Sequence, residues 1–405
     1  MSVHAVFVAP YFGASMTHCL RVMAALPDLK LGIVTCVPEA HVPKGVRLSG
    51  HYRIDNPMDP GQLTVAVRAF QKEWGRVDRL IGYLEQLQES LAAAREALGI
   101  PGIHRQVAHN FRDKNQMKKV LHQAGVPVAK QSLVRSVEDA LAFLDTCGMI
   151  VLKPLDGMGS KNTIRVSTKD ELFRALNILM PSPSRPVQAE EFVTGDEHTL
   201  EAMSINGEVV WHSSSYYLPG PLQVIENPWM QYCVLLPRER IEPHVESFLP
   251  TNAQALKALG LRTGMSHMEW FHRKDNSVRI GEVGARPPGV NIMRLNGLVH
   301  GVDFWAKWAE LEVHHRFEMP ERKLAAGCAF LRGKGRGRTV ASVTGLDEAL
   351  AKVGNAVVEG KRPKVGQPRS SHYEGEGWVI VQHESTQGVL NAMKEIITRT
   401  EIQYK

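Results

Sequence analysis

Three short apolar runs, AVFVAP (5–10), LGIVTCV (31–37) and VDRLIGY (77–83), alternate over the first 110 residues with stretches of helical spacing. The intervening segments are THCLRVMAAL, QLTVAVRAFQKEWG and QLQESLAAAREALG, the last closed by Gly99. Strand and helix in alternation predict a parallel, doubly wound sheet, because parallel neighbours need a covering crossover. Ligands of such sheets lie beyond the C-terminal strand ends. Glu85, just past the third run, either faces that crevice or is an acid favoured by the dipole at the start of the next helix. No G-x-G-x-x-G is present, so a dinucleotide site has no support.

A chain of 405 residues has room for roughly two to four structural units. Its 43% apolar and 22% charged content is that of a globular protein with a large core. Five scattered cysteines without a C-x-x-C argue against a disulfide framework or structural zinc and fit a reducing cytosol. The N-terminus reads as a first strand, not a signal peptide, because it lacks a basic segment and its apolar run stops at Pro10. No apolar run approaches the ~18–20 residues of a membrane span, so a soluble, cytoplasmic chain without membrane partners is expected. The net charge of +6 gathers partly in RGKGRGR (332–338) and GKRPK (360–364). Without interleaved aromatics these read as solvated glycine-rich loops, and no nucleic-acid partner is expected.

From residue 113 the pattern changes. DKNQMKKVLHQAGVP places Met117, Val120, Leu121 and Ala124 on one helical face, with Gly125 as terminator. VLKPLDGMGSKN (151–162) runs from a strand through Lys153 into a loop where Gly157 and Gly159 flank Met158, followed by Ser160. Glycines let backbone amides approach an anion, and a lysine adds a point charge for phosphate; a plain glycine turn gives the same string. QAEEFVTGDEHTLEAM (188–203) carries Glu190, Glu191, Phe192 and Val193, then Glu197 after a Thr194-Gly195 turn. Such a strand and turn can meet a purine edge and a ribose, or the acids are merely exposed. The run 187–215 reads as a meander with an Asn206-Gly207 turn, TNAQALKALG (251–260) as a helix, and the last 90 residues as mixed strands and helices.

HMEWFHRKDNSVRIGEVGARPPG (267–289) reads as a hairpin. A two-residue turn at Asp275-Asn276 sets Glu269 opposite Glu282 on one face. Like charges at that separation destabilise a sheet unless one is protonated or a cation bridges them. Oxygen-only ligands point to magnesium or manganese. A longer loop shifts the register and separates the glutamates onto opposite faces. Arg286, four residues on, is able to clamp a carboxylate or phosphate bidentately.

In this order, a lysine–glycine phosphate loop, a purine hinge and a paired-glutamate hairpin resemble the ATP-grasp superfamily, and within it the L-amino acid ligase-like carboxylate–amine ligases. The resemblance covers most of the chain. It implies an N-terminal α/β domain (1–112), a module of two α+β subdomains that clamp ATP (113–193, the lid, and 194–312, with the metal hairpin), and a small C-terminal α+β cap (313–405). It implies ATP and Mg2+ (or Mn2+), small-molecule carboxylate and amine substrates, and a possible homodimer. By position, Lys114 and Lys153 match phosphate-contacting lysines, and Gly157, Met158, Gly159 and Ser160 the lid loop. Glu190, Glu191, Phe192 and Val193 match the adenine hinge, and Glu197 the ribose-binding acid. Glu269 and Glu282 match the magnesium pair, and Arg286 the arginine that steadies the acyl phosphate and tetrahedral intermediate.

The sequence departs from the resemblance at Gly284, where many members carry a metal-binding asparagine in E-x-N-x-R. His267 faces Gly284 in this register, either filling the space or contacting substrate, although a packed structural histidine is the simpler role. RPPGVNI (286–292) also departs from the R-P-G-G-G form often seen, which leaves Gly289 and Asn291, with His267 and Glu85, as candidate substrate contacts. The expected reaction is amide or peptide bond formation through an acyl phosphate, releasing ADP and phosphate. The alternatives are biotin carboxylase-type carboxylation, for which the chain has no biotinyl-lysine motif, and a non-catalytic ATP-binding regulator.

Overall fold

The computed structural model describes residues 2–155, 163–227, 229–239 and 242–405. Near the N-terminus, β1 (Val3–Val8), β2 (Leu29–Thr35), β3 (Gly50–Arg53) and β4 (Arg79–Ile81) form a sheet of order β3-β2-β1-β4. Its pairings are all parallel, as the alternating pattern predicts. The sequence reading missed β3, whose four residues GHYR form a half-exposed edge and carry no apolar run. The interior strands β1 and β2 are nearly all apolar and buried on both faces, as a helix-covered parallel sheet requires.

A second sheet, antiparallel in all its pairings, has the order β5-β8-β6-β7, from β5 (Gln131–Val134), β6 (Ile150–Pro154), β7 (Ile164–Val166) and β8 (Val187–Glu191). Next come β9 (Asp196–Ile205), β10 (Glu208–Leu218), β11 (Tyr232–Leu236), β12 (Gly264–His272) and β13 (Val278–Gly284). The C-terminal part adds β14 (Ala325–Leu331), β15 (Val340–Thr344), β16 (Val357–Lys361), β17 (Gly377–His383) and β18 (Glu401–Tyr404). The large sheet runs β13-β12-β9-β10-β11-β14-β17-β16, so the hairpin and three C-terminal strands share one surface; β15 pairs with β18. Asn206 and Gly207 both take positive φ in the two-residue turn between β9 and β10, as expected.

The large sheet has two chemically different faces around β9, β12 and β13. Leu200, Ala202, Met268, Trp270, Ile280 and Val283 point to one side. There they pack on the helices Lys114–Gln123 and Pro243–Leu259, with Phe248 stacked on Trp270 at 4.0 Å. The latter helix is longer than TNAQALKALG alone indicates and passes through Pro250. The alternate positions, Glu197, Thr199, Glu201, His267, Glu269 and Glu282, fall on the other side, as a period of two dictates. That polar face floors a cleft. No helix among the described residues is long and apolar enough to cross a membrane.

Candidate active site

A cleft of about 1680 Å³ opens between the polar face of the large sheet, the second sheet and the C-terminal ends of the parallel strands. Glu269 and Glu282 are direct cross-strand partners on its floor. The turn beside them is not the two-residue one expected. Arg273 N–H donates to Ser277 O (2.9 Å), leaving a three-residue loop with Asn276 in the left-handed region. Such a loop alone sets Glu282 opposite Met268, on the apolar face. An extra residue in β13, Gly281, lies between the Ile280 and Glu282 pairings and restores the register by a β-bulge.

Glu282 Oε1 accepts a hydrogen bond from Lys114 Nζ at 3.0 Å. Burial works against its charge, but Lys114, Lys153 and Arg286 hold its pKa down at about 2. On the far side, His267 Nε2 lies 3.8 Å from Glu269 Oε1 and Nδ1 lies 2.8 Å from Oε1 of the fully buried Glu201. Against burial, these two carboxylates raise the His267 pKa to about 9. His267 does pair with Gly284, where an added Cβ meets Arg286 Cγ at an ordinary 3.5 Å.

Lys153 reaches Glu190 Oε1 at 2.9 Å, and the buried Lys118 reaches Glu190 Oε2 at 3.2 Å and the Ile280 carbonyl at 3.1 Å. Glu190 is therefore a buried ion-pair partner, not an exposed strand acid. Despite burial its pKa is lowered by Lys118 and Lys153, and that of Lys153 is raised by Glu190; burial dominates at Lys118, whose pKa falls. Glu191 N–H donates to Lys130 O and Phe192 N–H to Met149 O, both at 2.9 Å, and Val193 follows on the cleft rim. Glu197 lines the cleft, with its pKa raised to about 8 by burial and by Glu269. An added Cβ at Gly220 would stand 2.4 Å from Glu197 Oε2, so the absence of a side chain there leaves room for the carboxylate. Gly157, Met158, Gly159 and Ser160 lie outside the described residues.

Arg286 donates from Nε to Glu85 Oε2 (2.8 Å) and from Nη1 to Pro287 O (2.9 Å), and its Nη2 lies 2.7 Å from the same Glu85 oxygen as an ion-pair contact. Arg112 takes the other oxygen of Glu85. Glu85 lines the crevice, one of the two places its position allowed, and arginines engage both its oxygens. Asn291 lines the cleft; its left-handed backbone starts the helix Ile292–His300, and its amide donates to Cys328 Sγ at 3.3 Å. Gly289 lines the cleft with nothing within 4 Å of an added Cβ.

Sequence reasoning missed Lys118, Glu201, Arg112 and Gly220. A helical period carries one signal, since Lys118 follows Lys114 by four residues on the same face. The other three act through cross-strand or cross-domain contacts that spacing does not encode. As for metal, no group of three His, Cys, Asp or Glu side chains among the described residues gathers at ligand distance. Two opposed carboxylates facing a cleft still fit magnesium, which takes one or two carboxylates and completes its shell with phosphate oxygens and water.

No family model matches the chain. It is 22% identical over 281 residues to the L-arginine-specific L-amino acid ligase of Bacillus subtilis, covering 68% of this chain and 67% of that one. It is 26% identical over 234 residues to the alanine–anticapsin ligase of Bacillus subtilis strain 168, covering 53% and 49%. The chain thus spans about two thirds and one half of these two curated relatives. Among solved structures it resembles the L-amino acid ligase of Bacillus licheniformis with a TM-score of 0.76 at 21% identity, over 100% of this chain and 99% of the other.

Proposed function

From a chain that has the ATP-grasp fold and whose relatives are named amino acid ligases, we propose an ATP-dependent carboxylate–amine ligase acting on amino acids. The observation that carries the reading is the opposition of Glu269 and Glu282 in one cleft with Lys114, Lys153 and Arg286. A regulator that only senses nucleotide has no need of the acids and the arginine together.

In this reading the hinge 190–193 receives adenine, and Glu197 accepts from the ribose hydroxyls. Lys114 and Lys153 exchange their present carboxylate partners for phosphate oxygens. Glu269 and Glu282 would hold Mg2+ or Mn2+, which when bound neutralises charge on the β- and γ-phosphates. A substrate carboxylate oxygen attacks the γ-phosphorus and ADP leaves, giving an acyl phosphate. The amine nitrogen attacks its carbonyl carbon, phosphate departs with the C–O bond pair, and the nitrogen sheds a proton to form the amide. Arg286 has five N–H donors, of which two hydrogen-bond Glu85 and Pro287; others are able to steady the oxyanion.

Phosphate release measured with pairs of amino acids, and separately with bicarbonate plus biotin, tests the reading. Release with amino-acid pairs and a matching dipeptide by mass spectrometry is expected. Release with bicarbonate and biotin alone would favour the carboxylase alternative, and ATP binding without turnover the regulator. Glu282→Gln is expected to abolish release while circular dichroism is unchanged; near-normal turnover in that variant rejects the metal assignment.

A further inference from the structure

The end of the cleft beyond Arg286, away from the hinge, differs in chemistry from the rest. Tyr83 and Leu84 directly precede the Glu85 that grips Arg286, and both line the cleft. Trp305, on the helix Phe304–His314, packs on Tyr83 with ring centroids 4.8 Å apart. Trp308 backs both rings edge-on, at 6.1 Å from Tyr83 and 5.8 Å from Trp305. Met16 and Met293 complete the wall from two further helices, in the same apolar cluster. Of the charged residues that line the cleft, Glu85 is paired with Arg286 and Arg112, and Arg294 with Glu359.

Resting on the ligase reading, we propose that this wall receives the side chain of one amino-acid reactant and selects a large apolar or aromatic one. With its reacting group at Arg286, such a substrate lays its side chain on Tyr83, Leu84, Met293 and Trp305. Rings gain offset or edge contacts there, and the thioethers adapt to branched or linear chains. A charged side chain loses its hydration against this apolar wall, which excludes it more strongly than size alone.

The test uses the full chain with ATP and Mg2+, and measures phosphate release and product mass. L-Phenylalanine, L-leucine and L-methionine are compared with L-serine, L-aspartate and L-lysine, each paired with L-alanine to leave both positions open to it. At least tenfold higher kcat/KM for the apolar set is expected, narrowed in Trp305→Leu and Tyr83→Leu. The wild-type panel decides even where a variant folds poorly. Turnover without that preference, or with a preference for the charged set, overturns the pocket assignment and leaves the ligase reading intact. Absence of turnover with every amino-acid pair overturns both.

Discussion

Arg286 and Glu85 meet twice at a single carboxylate oxygen, by a hydrogen bond from Nε at 2.8 Å and an ion-pair contact from Nη2 at 2.7 Å. They come from opposite parts of the molecule, the end of β13 and the loop after β4, so the pair fixes how the hairpin faces the parallel sheet. Because Arg112 shares Glu85, the three groups carry a net positive charge, and Arg286 keeps its cation for a developing anion. Glu85→Gln is expected to lower kcat by about 10²-fold, the scale of an ångström-level misplacement, with KM for ATP little changed. Glu85→Asp is expected to recover part of the loss. Equal rises in KM for ATP and falls in kcat would count against a positioning role.

The buried Lys118 and Glu190 are the second relationship open to measurement. Glu190 is held by both Lys118 and Lys153, so Glu190→Met takes the shared carboxylate from two lysines and is expected to cost on the order of 3 kcal/mol in urea unfolding. That is more than Lys118→Met, which leaves Glu190 paired with Lys153. The double variant Lys118→Met/Glu190→Met is expected to cost less than Glu190→Met alone, because one of the two lysines that lose the carboxylate is removed with it. Additive losses in the double variant would show that the pair is not coupled.

Much of this architecture is legible in the residues because periodicity is local. The apolar runs that became β1, β2 and β4 and the Asn206-Gly207 turn needed only neighbouring side chains to be read. The hairpin is more instructive. Its key pairing, Glu269 with Glu282, is as the sequence indicates, yet for a different reason: one more loop residue than expected is offset by the bulge at Gly281. Two one-residue shifts of opposite effect cancel, and neither has a distinct signature in RKDNSVRIGE. The partners of Glu85 and Asn291 were not legible at all. Arg286 and Cys328 lie 201 and 37 residues away, and no local pattern carries such contacts.

Gly220 offers a test of the nucleotide assignment that spares the charged residues. A Cβ there would sit 2.4 Å from Glu197 Oε2, the flexible end of a side chain, so the carboxylate turns aside while the backbone stays. If Glu197 accepts from ribose, Gly220→Ala forfeits the hydrogen bonds that its carboxyl group makes there, about 0.5–1.5 kcal/mol each. Calorimetry is then expected to give ATP a roughly ten- to hundredfold higher Kd, with a urea midpoint close to wild type. Unaltered ATP affinity would remove Glu197 from the nucleotide site.

Glu312 gives the clearest pH dependence, on the helix that also carries Trp305. Burial raises its pKa from 4.5 to about 7, with Arg95 and Arg79 only partly opposing. The sign follows from which state loses its proton first. Between about pH 4.5 and 7 the unfolded carboxyl is ionised while the folded one remains neutral, so stability falls through that window by about 3 kcal/mol and then levels off. Glu312→Gln removes the titration and keeps the shape. It is therefore expected to exceed wild type in urea midpoint at pH 8 by more than at pH 4.5. A gap between the two proteins that is the same at both pH values would mean that Glu312 is not held neutral in the fold.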